Sequence, residues 1–221
     1  MQSQKTRSLI GRVLVFSLAS FLSSFVVFFL AFLWPGSAQA APIKSPLQVK
    51  LDKNLGEVSF TALATHAIHI DGKGDGPSGT LQLKPQGANI LINGSLAFLI
   101  DSLKTGISMR DRHMKEKYLE TGKYSEARLT LKDFSTSADV LGEGDQSFAF
   151  TGMLFLHGLE KEVKGQINTH RNAGAASEVV IATNFKIKLT DFAVSVPSFA
   201  GITVADEVDI KVQFKVPGNA L

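Results

Sequence analysis

The sequence predicts an all-β fold: an antiparallel sheet that curls on itself, with one short helix set over an open end. Three observations carry this. Past Pro46, segment after segment alternates apolar and polar residues with period two. Gly-containing turns join those segments. Only between Asp101 and Phe134 does a charged, helix-favouring run interrupt the alternation, for roughly a dozen residues.

The 221-residue chain opens with a leader. Lys5, Arg7 and Arg12 precede an uncharged apolar run from Val13 to Trp34, and Pro35-Gly36 breaks it. Ala38-Gln39-Ala40 is then a small-residue cleavage site ahead of Ala41. Residues 1–40 therefore read as a signal peptide and 41–221 as one domain, periplasmic or secreted. The run is also long enough to cross a bilayer, so an uncleaved anchor is the alternative. The three leader cations account for the whole formal charge of +3: of 23 Lys and Arg they take three, leaving 20 against 20 Asp and Glu. The basic pI of 9.1 thus belongs to the leader, and a nucleic-acid partner loses its main support. With no cysteine, the chain has no disulfide framework, thiolate metal site, cysteine nucleophile or lipidated N-terminal cysteine.

Strands are expected at 47–52, 57–65, 66–70 and 80–84. Asn89 to Ile100 is clearer, with Ile90, Ile92, Leu96, Phe98 and Ile100 alternating around Gly94; Leu91, Ala97 and Leu99 suggest cover on its second face. Strands follow at 127–133, 146–156, 161–169, 178–189 and 207–216, with a turn at His157-Gly158-Leu159 between the second and third of these. The alternation turns Phe60, Phe98, Phe148, Phe150, Leu154, Phe185 and Phe214 inward.

In the interrupting stretch, Ser108 followed by Asp111 is a capping-box signal for a helix start. Asp111–Lys115 and Arg112–Glu116 have the spacing of helical ion pairs. Ile107, Met114 and Tyr118 fall near a common side, and Gly122 offers a stop. A lone helix in a β chain is most simply a cover for a barrel or sandwich end.

Gly74-Asp75-Gly76-Pro77-Ser78-Gly79 matches G-x-G-x-x-G, but Pro77 interrupts it and an alternating strand follows, so it reads as a loop rather than a dinucleotide site. His66 and His69 face opposite sides of a strand, His113 lies on the charged helix and His157 in a turn, which is poor spacing for a metal. Arg110, Asp111 and His113 form the one cluster that a hydrolase could use. No G-x-S-x-G elbow accompanies it, and structural ion pairing is the simpler role.

Taken together, TGISMRDRHMKEKYLE, KYSEARLTLKDF, FTGMLFLHGLEKEV and FKIKLTDFAVSVPSFAGITVADEVDIKVQF resemble the YceI-like family. The match runs over most of the chain after Lys50 and departs at Ser125, where the family usually has proline, and in THAIHIDGKGDGPSG. What the resemblance implies is a secreted bacterial protein with a lipocalin-like antiparallel β-barrel of about eight strands, its helix closing one end. It further implies an isoprenoid, quinone or fatty-acyl lipid held in the interior, with no catalysis and no cofactor. Phe60, Phe98, Phe148, Phe150, Leu154, Phe185 and Phe214 are then the candidate ligand contacts in the barrel, with Ile107, Met114 and Tyr118 in the lid. The membrane enters as lipid source or through an uncleaved leader, and a homodimer stays open. Two other classes are carried: a hydrolase built on Arg110, Asp111 and His113, and a ligand-free envelope scaffold with a filled barrel.

Overall fold

In the computed structural model, the described residues are 45–172, 178–199 and 201–217, so the leader lies outside them. The chain runs β1 (Leu47–Leu51), β2 (Gly56–Ala64), β3 (Ile68–Asp75), β4 (Ser78–Gln86) and β5 (Asn89–Leu99), then helix α1 (Ser108–His113), which continues as a wider π turn over Met114–Tyr118. β6 (Glu126–Ser137), β7 (Gly144–Leu156), β8 (Leu159–Arg171), β9 (Val179–Lys188), the short β10 (Ser198–Phe199) and β11 (Ile202–Val216) complete it. All ten segments marked by alternation are strands, and the two-residue β10 is an addition that no periodicity can mark. The count of about eight is exceeded because the short β1 and β3 end the sheet as separate strands.

The sheet is antiparallel throughout, in the order β1-β4-β5-β6-β7-β8-β9-β11-β2-β3, with β10 on β11. β11 lies between β9 and β2, so the last strand ties the C-terminal hairpins to the first one. The two ends of this path are drawn together at the β1–β2 and β3–β4 turns, where the Gly76 amide donates to the Lys53 carbonyl at 2.8 Å. A Cβ on Gly76 would stand 2.7 Å from the Gly56 backbone, so only glycine permits this approach. The free edge of β3 is covered by the chain leaving β5. Lys73 and Lys104 exchange backbone bonds of 2.9 and 2.8 Å, and the Asp75 amide donates to Ser102 Oγ at 3.2 Å. This shields unpaired amides that would otherwise pair with another chain.

The G-x-G-x-x-G stretch is the end of β3, a two-residue turn and the start of β4, with no helix for a pyrophosphate. Leu99, expected under cover, is 51% exposed. The β7–β8 turn is the two-residue kind that needs positive φ at both positions, with His157 at 50° and Gly158 at 82°.

The interior is divided lengthwise. One end is filled: Val49, Leu83, Ile90, Ile92, Leu131 and Phe150 are buried together there with Leu141, Val163 and Val216. Phe150 meets Phe185 edge to face at 6.0 Å between ring centroids. Toward the α1 end the inward side chains Phe60, Leu96, Phe98, Leu129, Ile210 and Val212 are only half-buried, because they face open space.

Candidate functional site

That space is a cavity of about 690 Å³. β2, β3, β5, β6, β7, β9 and β11 supply its wall, and the α1 segment with Val194, Pro197, Ser198, Phe199 and Ile202 supplies its rim. Eight of the ten candidate contacts lie on it: Phe60, Phe98, Leu154, Phe185 and Phe214 from strands, and Ile107, Met114 and Tyr118 from the lid. Phe148 and Phe150 do not. They point inward as alternation requires, but they sit at the filled end, where Phe150 is 3% exposed. Alternation gives direction across a strand and carries no information on depth along it.

The chain entering the lid is fixed by a small polar network. Asp111 accepts from the Thr105 amide at 2.7 Å and from Thr105 Oγ1 at 2.5 Å, while Arg110 Nε and Nη2 donate to Thr105 Oγ1 at 2.7 Å and to its carbonyl at 2.9 Å. Burial alone would raise the Asp111 carboxyl. The two Thr105 bonds, with Lys115 and Arg110 nearby, outweigh it and hold the group below its ordinary 3.8.

Three sequence expectations are corrected here. Ser108 is the first residue of α1 rather than its cap; the N-cap is Ile107, whose aliphatic side chain has no acceptor to offer, and Asp111 accepts from Thr105 instead of completing a capping box. Lys115 forms its ion pair with Asp101 at 3.6 Å and also bonds the Asp101 carbonyl, and neither helical pair, Asp111–Lys115 or Arg112–Glu116, is among the ion pairs of the described residues. The left-handed residue ending the helix is Glu120, at φ 46°, two positions before Gly122.

The far end of the lid is held by His157, a residue whose turn position gives no sign of burial. It is 9% exposed, with Nδ1 bonded to the Phe192 carbonyl at 3.0 Å and Nε2 to Glu120 Oε2 at 2.8 Å. The Tyr124 ring packs on it at 4.4 Å. One imidazole thus joins the β7–β8 turn, the end of the lid and the 189–192 turn.

The lining residues with polar side chains are Thr105, Arg110, His113, Lys117, Tyr118, Arg128, Thr183 and Ser198, and among the described residues no carboxylate lines the cavity. Arg110, His113 and Lys117 project from the lid segment; Lys117 Nζ lies 5.2 Å from the Tyr118 ring centre. The His113 ring is 6.3 Å from Phe199, across the opening from α1 to β10. Among the described residues, no three His, Asp or Glu side chains gather in a metal-binding group.

Residues 50–216 match the family profile described as a YceI-like domain. The chain belongs to the YceI-like domain family. Three solved structures share its fold at low identity. A polyisoprenoid-binding domain from Saccharophagus degradans, implicated in plant cell wall breakdown, is 20% identical with a TM-score of 0.55, covering 76% of this chain and 97% of its own. BcnA of Burkholderia cenocepacia is 20% identical with a TM-score of 0.59, covering 75% and 99%. The YceI protein of Campylobacter jejuni is 19% identical with a TM-score of 0.50, covering 67% and 84%. No curated protein matches in sequence. The YceI-like fold accounts for the cavity's position: the two long interruptions of the sheet at 100–125 and 189–197 converge on the hollow end.

Proposed function

We propose that this YceI-like protein binds one long-chain amphiphile, such as an isoprenoid, quinone or fatty-acyl lipid, and carries it outside the cytoplasm without catalysis. The observation that carries the reading is a hollow, apolar barrel end whose charged lining groups, among the described residues, are Arg110, Lys117 and Arg128 beside His113. A volume of 690 Å³ falls within the range of small-molecule sites. A chain of about a dozen carbons buried there gains roughly 10 kcal/mol at about 0.8 per CH₂. After an association cost of about 4 kcal/mol or more, about 6 kcal/mol or less remains, an affinity on the order of tens of micromolar or weaker that a longer chain improves. The head group meets Arg110, His113 and Lys117 at the mouth, so a carboxylate or phosphate is favoured over a cationic head. The Arg110–Thr105–Asp111 network then holds the lid instead of activating water. The polyisoprenoid-binding relative supports the ligand class, and the leader sequence supports export.

Titration with a fluorescent polyene fatty acid tests this. Saturable binding of one probe per chain, displaced by a polyprenyl phosphate, is expected. A flat titration with both compounds would exclude the cavity as a lipid site.

A further inference from the structure

We propose that the cavity mouth docks directly on an anionic lipid bilayer, so that a lipid passes between membrane and cavity without crossing water. The inference rests on the cavity being a lipid site and adds to it the surface that loads it. Nine large hydrophobic side chains are exposed among the described residues. Five of them, Ile68, Ile107, Met109, Phe199 and Ile202, also line the cavity, which puts them at its opening. Phe199 is 72% and Met109 59% exposed. They come from three separate segments brought together by the fold: the start of β3 after the β2–β3 turn, α1 with its N-cap, and the β10–β11 hairpin. Thr65 fastens the first to the third, accepting from the Thr203 amide at 3.2 Å and donating to the Gly201 carbonyl at 3.5 Å. An apolar collar continuous with an apolar cavity is what a lipid needs for a path free of water.

Charge selects the occupant. Residues 61–70 and 194–205 contain no Lys, Arg, Asp or Glu, while 104–117 contain five basic residues and two acidic ones. Removing that segment from the balanced 20 and 20 leaves 15 basic against 18 acidic in the remainder of 41–221. Positive charge is therefore concentrated at the collar. Within it Asp111 is taken by Thr105, and Lys115 is paired with Asp101. Lys104, Arg112 and Lys117 remain against Glu116. Exposed apolar side chains beside surplus cations suit an interface that inserts shallowly among anionic head groups.

The described sheet and core lie wholly between Leu47 and Val216, so the chain from Ala41 is suited to the test. Flotation with vesicles of phosphatidylcholine alone, and of phosphatidylcholine mixed with phosphatidylglycerol, reads docking. The fluorescent polyene fatty acid reads the cavity separately. The expected result is partition onto the mixed vesicles, weakened about tenfold or more on phosphatidylcholine alone and by added salt. Phe199→Asp should lower partition by roughly tenfold or more, since a charge replaces an inserted ring. Arg112→Glu, outside the cavity wall, should weaken partition and leave probe binding intact. Parent protein that binds the probe yet stays off mixed vesicles overturns the docking proposal while sparing the lipid site. So does a collar that instead joins two copies, seen as a dimer that Phe199→Asp dissociates. A parent that fails to bind the probe removes the cavity reading on which docking rests.

Discussion

Enlarging Leu154 separates a hollow interior from a filled one. Leu154 lies on β7 opposite Leu129 of β6, is 7% exposed and borders the cavity. Leu154→Trp adds about six side-chain heavy atoms directed into open space, so the empty protein should change by less than about 1 kcal/mol. For a domain of this size that is a melting shift of about 4 °C at most. The same atoms displace up to about six methylene-sized units of ligand, an upper bound near 5 kcal/mol at about 0.8 each. A chain that re-threads recovers part of this, so probe affinity should fall somewhere between about tenfold and a thousandfold. Phe150→Trp, two turns of alternation away at the filled end, is the counterpart: overpacking there should cost about 1–3 kcal/mol with little direct effect on the probe. The assay pairs thermal melts of lipid-free protein with probe titration. If Leu154→Trp unfolds the domain as readily as Phe150→Trp, the division into filled and hollow ends is wrong.

Three further outcomes are expected. Asp111→Asn should destabilise by about 1 kcal/mol, because the amide oxygen can still accept from Thr105 but without the charge that strengthens both bonds. Its carboxyl is held below 3.8 when folded, so this contribution is complete above the unfolded value and disappears as pH falls through the lower folded one; parent and variant melts should converge in strong acid. His157→Ala should cost about 2 kcal/mol or more in urea unfolding, since the buried ring leaves the Phe192 carbonyl without its donor. N-terminal sequencing of exported protein should begin at Ala41; a Met1 start in the membrane pellet would instead identify an anchor.

The fold is readable from the sequence wherever one strand face is buried and the other wet, as in β9 and β11, because period two assigns each side chain a face. Depth is not. Phe98 and Phe148 carry the same alternation signature, yet one borders the cavity and the other lies at the filled end. The lid's existence is legible in its charges, but its fastening is not. Ser108 and Asp111 have capping-box spacing, and the outcome turned on Thr105, which offers Asp111 both an amide and a hydroxyl. The rim around Val194, Pro197, Phe199 and Ile202 carries no helical or strand period in the sequence that would mark it as part of a site. It is brought there by bonds between Thr65 and residues more than 130 positions away. His157 is the same kind of case, since a turn residue becomes buried only through Glu120, Tyr124 and Phe192.

Native mass spectrometry of protein purified from its own envelope, without detergent exchange, tests the central claim most directly. A long-chain lipid near one per chain, released on Leu154→Trp, is the predicted result. Lipid-free protein, together with unfolding of every variant enlarged toward the cavity, would contradict the carrier reading and leave a filled scaffold domain.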